Sequence, residues 1–263
     1  MVERETAGGG RRQRGLDADA VLAAKEDSPM RVLVGTSGYS YKEWKGPFYP
    51  RDLPAARFLQ YYAARFATVE INNTFYRMPT PELVAGWASE VPETFTFALK
   101  APQRITHTAK LNDVGETAAR FVRTAGALGT RLGPLLFQLP PFFRKDVARL
   151  RAFLEQSSAP GVRMAFEFRH ASWFDDEVWA ALRAHGAALC IAEGEALQAP
   201  LVATADWGYV RLRRDAYSDA LLDEWAANVR AQPWAEAYVY LKHDEGDAPS
   251  VATRLIERLD GAR

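Results

Sequence analysis

The sequence predicts an α/β protein built as a single (β/α)8 barrel, and three observations carry that expectation. About eight strand-length apolar segments alternate with about eight helix-length ones, the alternation that gives parallel strands joined by helical crossovers. The 263 residues show no composition break between halves, and eight such units fill the roughly 250 residues typical of a closed barrel. Polar and charged side chains recur at the C-terminal ends of the strands, the rim on which barrel sites are built. An open doubly wound sheet is the alternative, but it usually carries a dominant phosphate loop, and no Gly-Lys-Ser or Gly-Lys-Thr occurs.

Residues 1–30 read as a flexible tail and residues 31–263 as the barrel domain. The tail carries Gly8-Gly9-Gly10 followed by Arg11, Arg12 and Arg14, with one short helix expected at Asp17–Lys25; its basic patch reads as a solvated terminus. Met30, directly before the first strand, is an alternative start. The first strand, Arg31–Gly35, runs into Thr36-Ser37-Gly38-Tyr39-Ser40-Tyr41. Ser37 reads as a turn residue, because Tyr39 stands where a nucleophile elbow needs its second glycine. The aromatic loop from Ser40 to Pro54, with Trp44, Phe48 and Tyr49, is the expected lid.

A helix from Ala55 to Phe66 leads to the second strand, where apolar Val69 and Ile71 alternate with Glu70 and Asn72. Beyond Pro79, Thr80 suits an N-cap with Pro81 at N1, and Leu83, Val84 and Trp87 form the apolar stripe. The remaining strands are expected at Phe95–Lys100, Leu135–Leu139, Met164–Arg169, Ala187–Ile191, Gly208–Arg213 and Ala237–Lys242. Helices at Asp113–Leu128, Asp146–Gln156, Asp175–His185 and Ser218–Arg230 separate them, and one at Pro249–Leu259 closes the chain.

Composition narrows the functional classes. A hydrophobic fraction of 48% with 25% charged residues supplies an ample globular core, and a formal net charge of zero disfavours nucleic acid as a partner. No apolar run is long enough to span a bilayer and no secretory h-region opens the chain, so no membrane partner is expected. The single cysteine, Cys190, lies in an apolar run and reads as a small buried residue, which fits a reducing, cytoplasmic setting.

Strand parity then locates a site. One parity is apolar: Val69 and Ile71, Phe97 and Leu99, Leu135, Phe137 and Leu139, Phe166 and Phe168, Val210 and Leu212, Val239 and Leu241. The other gathers Glu70, Asn72, Thr96, Lys100, Gln138, Glu167, Arg169, Arg211, Arg213, Tyr240 and Lys242, which a barrel would point inward and upward. The expected catalytic set is Glu70, Glu167 and His170. Substrate contacts are expected from Tyr39, Trp44, Asn72, Thr74, Tyr76, Lys100, His107, Gln138, Arg169, Trp173, Arg211 and Lys242. Cations outnumber carboxylates in that inventory, and guanidinium forks match phosphate and carboxylate oxygens, so a small anionic or phosphate-bearing ligand is expected. The competing reading of the same residues is a self-neutralising buried ion network. A divalent metal held by Glu70, Glu167, His107, His170 and His243 is a minor alternative, because no His-x-His or His-Glu-x-x-His spacing occurs.

At these motifs the sequence resembles the DUF72 family, the YecE-like proteins. The resemblance is carried by Gly35-Thr36-Ser37-Gly38-Tyr39 with Tyr41 and Trp44, by Glu70-Ile71-Asn72-Asn73-Thr74-Phe75-Tyr76 with Pro79, and by Lys100 with Ile105-Thr106-His107. It continues through Gln138-Leu139-Pro140-Pro141 and Glu167-Phe168-Arg169-His170 with Ser172-Trp173, so that it extends from about Arg31 to the C-terminus. It implies a TIM-barrel fold and no established reaction. Two motifs depart from the family's usual pattern. Leu212-Arg213-Arg214 follows Tyr209-Val210-Arg211 where a His-Gly pair tends to occur, and Leu241-Lys242-His243 follows Tyr238-Val239-Tyr240 where Phe-Asn-Asn tends to occur.

The expected function is therefore an enzyme of hydrolase type acting on a phosphate- or sugar-containing anion. Glu167 and Glu70 would serve as acid and base, and Arg169, Lys100 and Arg211 as the clamp. A nucleic-acid-binding or nuclease-like barrel and a non-catalytic small-molecule sensor are the alternatives.

Overall fold

The computed structural model describes residues 29–194, 197–242 and 247–261. Residues 1–28, with the helix expected at Asp17–Lys25, and His243 lie outside the described residues. Eight parallel strands close in sequence order into one barrel: β1 Arg31–Ser37, β2 Thr68–Ile71, β3 Thr96–Lys100, β4 Leu132–Gln138, β5 Met164–Glu167, β6 Ala188–Ala192, β7 Trp207–Leu212 and β8 Glu236–Lys242. The helices around it are α1 Phe58–Ala63, α2 Asn73–Tyr76, α3 Pro81–Ser89, α4 Gly115–Ala125, α5 Val147–Ser157, α6 Asp176–Ala184, α7 Asp219–Arg230 and α8 Ala248–Asp260. Among the described residues no helix is long and apolar enough to cross a membrane.

Helix starts follow local chemistry. Thr80 caps α3 by accepting from the Leu83 amide, with Pro81 in the first turn. Asp146, Asp175, Ser218 and Asp247 accept amides of the first turns of α5, α6, α7 and α8. Each such cap satisfies a helix-end donor that would otherwise be unpaired.

The parity expectation holds strand by strand. All the apolar residues assigned to the outer face pack in the large core between sheet and helices. A second, smaller cluster fills the barrel interior with Leu33, Ala98, Leu136, Ala165, Ala188, Cys190, Ala192, Trp207, Tyr209, Tyr238 and Tyr240. Small side chains from β3, β5 and β6 leave room for the aromatic rings that β7 and β8 project across the axis, so the interior is packed and not hollow. The rings of Tyr209 and Tyr240 lie 5.2 Å apart, and the Tyr240 hydroxyl meets Thr68 Oγ1 at 2.8 Å. The floor is ionic: Glu236 pairs with Arg31 and Arg163 and accepts from the Tyr238 hydroxyl.

Three expectations change. The Ser40–Pro54 loop is not a lid: Trp44 and Tyr49 are buried, and Tyr49 stacks on Phe58 at 4.1 Å with ring planes 4° apart. Its aromatics are core residues of the β1–α1 connection. The helix expected from Ala55 begins as a 3-10 turn, Ala55–Arg57, and Leu83 is 51% exposed while its neighbour Val84 is buried. Strand β4 begins at Leu132, ahead of its expected start at Leu135, because a register irregularity opposite Phe97–Leu99 accommodates Gly133-Pro134 inside the sheet.

Close approach of β1 to β2 depends on Gly35. A Cβ there would lie 2.1 Å from the Thr68 carbonyl oxygen, which also accepts from the Tyr62 hydroxyl. The neighbouring atoms are backbone and cannot swing aside. Gly35→Ala is therefore expected to destabilise the protein by about 3 kcal/mol or more, read as a fall in the urea midpoint at unchanged slope.

Candidate functional site

The site is assembled at the C-terminal ends of the strands, and its centre is Arg211 on β7. Arg211 Nη2 donates to Glu70 Oε1 at 2.7 Å and Arg211 Nη1 to Glu167 Oε2 at 2.6 Å, so one guanidinium spans both carboxylates. Further donors join each carboxylate. Glu70 accepts from Ser37 Oγ and from the Tyr209 hydroxyl, each at 2.6 Å. Glu167 accepts from Gln138 Nε2 at 2.9 Å and from Arg213 Nη2 at 2.6 and 2.7 Å. Glu70 and Glu167 are fully buried and Arg211 is 3% exposed.

Burial by itself would raise both carboxyls. For Glu167 the charges of Arg213 and Arg211 and the Gln138 amide outweigh it and pull the group down to about 2. For Glu70, Arg211, Ser37, Tyr209 and Lys100 together outweigh burial and hold it below the usual carboxylate range. Both groups are thus ionised at neutral pH and fully engaged. A general acid needs a proton held near the working pH and a general base a free lone pair. Glu70 and Glu167, expected as acid and base, stand here as ionised partners of the two guanidinia.

Other expected residues divide by location. Thr74 is buried, and its hydroxyl donates to the Lys100 carbonyl at 2.6 Å, which fixes the end of β3. Lys100 is half-buried, with Nζ 4.2 Å above the Phe75 ring. Burial and Arg211 push its ammonium down against the opposing pull of Glu70 and Glu167, to about 8. His107 sits on the edge of the same ring, its centroid 4.9 Å away, and burial together with Lys100 and Arg169 lowers it. Arg169 and Lys242 are exposed on the rim. Arg169, Arg213 and Lys242, with Glu167, Glu193 and Asp215, line a depression of about 420 Å3 at the mouth.

Four of the expected residues make contacts within the protein that the sequence did not show. Trp173 is fully buried, stacked on Phe168 at 4.6 Å, with Nε1 donating to the Phe143 carbonyl at 2.7 Å. Trp44 packs against Tyr41 and Phe48. Tyr76 is 74% exposed on α2 and packs its ring on Phe75. His170 caps the short turn Ala171–Trp173: its Nδ1 accepts from the Ser172 amide at 3.1 Å. Asn72 and Tyr39 line a separate, mainly apolar groove of about 500 Å3 beside α3, with Met78, Leu83 and Trp87. The Tyr39 hydroxyl is raised to about 12 by burial and by Glu90.

Ser37, Tyr209 and Arg213 belong to the site but were not among the expected contacts. Ser37 is the register partner of Glu70, and Tyr209 and Arg213 share the parity of Arg211, so strand pairing was the signal that identifies them. Among the described residues no group of three or more histidine, cysteine, aspartate or glutamate side chains converges on a point where a metal ion would sit.

The network makes stability pH-dependent in a direction that one substitution should reverse. Glu167 titrates near 2 in the folded protein against an ordinary 4.5, so its stabilisation is complete above about pH 4.5 and is lost as pH falls toward 2. Arg211→Met strands the buried carboxylate of Glu70, while Glu167 keeps Arg213, and is expected to cost about 3–5 kcal/mol at neutral pH. Burial then dominates and raises a carboxyl above its unfolded value, so the variant should gain stability as pH is lowered from 7 to 5. Urea midpoints for both proteins across that range check the reversal.

A family model described as "Protein of unknown function DUF72" matches residues 33–263. The chain is 34% identical to "UPF0759 protein YecE" of Escherichia coli K12 over 118 residues, which is 44% of this chain and 43% of that protein. It is 30% identical to "UPF0759 protein YunF" of Bacillus subtilis over 152 residues, 54% of this chain and 52% of that protein. The matched span is about half the length of these curated relatives. A crystal structure of a DUF72 family protein from Thermotoga maritima superposes with a TM-score of 0.75 at 29% identity, covering 88% of this chain and 99% of that one. One from Enterococcus faecalis gives 0.74 at 19% identity over 87% and 95%, a likeness of fold. With the family model spanning nearly the whole barrel, the chain belongs to the DUF72 family.

Proposed function

We propose that the barrel mouth binds a small anion, of phosphate- or sugar-phosphate type, as the substrate of an enzyme. The observation that carries this reading is the charge balance of the rim. Arg211 and Arg213 neutralise Glu70 and Glu167, and Glu193 is taken up by Arg214 and the Tyr217 hydroxyl. Arg169 adds positive charge to the depression opposite Asp215, Lys100 adds it beside the Arg211 cluster, and neither cation has an ion pair among the described residues. The Nε atoms of Arg211 and Arg213 are buried and have no acceptor among the described residues, so each guanidinium keeps an unused donor. Partly desolvated cations in a concave site favour an oxygen-rich anion more strongly than the same charges on open surface.

The carboxylates act in this reading as scaffold, and hydrolysis with Glu70 and Glu167 as acid and base is its less supported form. A depression of about 420 Å3 suits a small molecule, and the zero net charge gives no broad basic surface for a nucleic-acid backbone. The buried Cys190 fits a cytoplasmic setting for such an enzyme.

Calorimetric titration with inorganic phosphate should give saturable binding that weakens as ionic strength rises. Arg169→Ala should weaken it by about tenfold, the loss of one charge-assisted contact. Absence of heat and of thermal stabilisation with phosphate and sugar phosphates alike would remove the reading.

A further inference from the structure

We propose that Lys100 is a nucleophilic amine that condenses with the carbonyl of an aldehyde or ketone bearing an anionic group. The anionic group of that partner rests on the binding reading above; the reactivity of the amine does not.

Three features of the mouth set Lys100 apart. Two carboxylates stand in the same cluster, yet both are engaged by Arg211, Arg213, Ser37, Tyr209 and Gln138, and no carboxylate among the described residues pairs with the Lys100 ammonium. The lysine is held in place: its own carbonyl accepts from the buried Thr74 hydroxyl, and its Nζ lies over the Phe75 ring. The groups that act on it are two guanidinia on β7, Glu70 on β2 and Glu167 on β5, and burial with the guanidinia outweighs the carboxylates. A lysine lowered to about 8 has about a tenth of its amine free at neutral pH, far more than an ordinary lysine, and the free amine is the form that attacks carbonyl carbon.

The step balances without a redox partner. The Nζ lone pair forms the C–N bond while the carbonyl oxygen takes a proton, giving a carbinolamine; loss of water then leaves the C=N bond of an imine. His107 meets the edge of the same Phe75 ring and is lowered by burial, Lys100 and Arg169, so a neutral imidazole stands beside the lysine as a candidate to carry the protons of the dehydration. Arg169, Arg213 and Lys242 on the rim are placed for the anionic end of the partner.

The test uses the full chain, pyridoxal 5′-phosphate as a phosphate-bearing aldehyde, and sodium borohydride to reduce the imine to a stable secondary amine, with peptide mapping by mass spectrometry. At neutral pH the Lys100 peptide should be labelled on the order of 100-fold faster than the exposed Lys42 and Lys45, the ratio expected when an amine titrates two units below an ordinary lysine. The pH at half-maximal rate should lie near 8. Lys100→Arg, which keeps the charge, should lose the label while Lys42 and Lys45 keep theirs. Labelling of Lys100 no faster than Lys42, Lys45 or Lys242 overturns the proposal. Phosphate binding without selective labelling overturns it alone, whereas selective labelling that excess phosphate does not slow supports the amine and removes the anion site.

Discussion

The bridge from Arg211 to Glu70 and Glu167 is the interaction on which the mouth of this barrel depends. Strands β2, β5 and β7 each end in a charge that would be untenable alone inside a packed barrel. One guanidinium resolves two of those problems at once, and its planar fork fixes the carboxylates relative to each other. A buried network of this kind is weak evidence for stability, because apolar side chains of similar volume fill a barrel interior at less cost. What it supplies is a rigid, nearly neutral platform, on which the half-buried Lys100 and the rim cations keep their charge or reactivity for something else.

Much of the architecture was legible because period-two alternation is a strong signal in a barrel. Every residue assigned to the outer face of a strand by parity packs there, and the buried Cys190 proves to be an interior filler among the aromatic rings of β7 and β8. The same parity identified Glu70, Glu167 and Arg211 as neighbours. Pairing was not legible: parity says which way a side chain points, and not which acceptor a guanidinium chooses once it arrives. The choice of both carboxylates by Arg211 draws the expected acid–base pair into ion pairs, and among the described residues no carboxylate pairs with Lys100.

The aromatic residues were the least legible. Trp44, Trp173 and Tyr76 are large, flat and adjacent in sequence to strand ends, the features of a ligand-stacking residue. In the fold, the loop carrying Trp44 doubles back onto α1, and the turn carrying Trp173 is pinned by its capping histidine, His170. Tertiary direction decides between stacking on a ligand and packing on Phe168 or Phe48, and local sequence holds no record of that direction. The departure Leu212-Arg213-Arg214 is better understood: Arg213 closes the second shell of Glu167, and Arg214 satisfies the buried Glu193.

The ionic floor has a consequence for traffic. Glu236, held by Arg31 and Arg163, lies beneath Trp207 and Tyr238, each only 3% exposed, so the far end of the barrel is shut. Among the described residues the floor offers no route to Lys100, so a molecule would come and go by the mouth. Water released by any condensation there must leave past the bound organic partner or wait behind it. Departure order, and not only affinity, is therefore written into the closed end of the barrel.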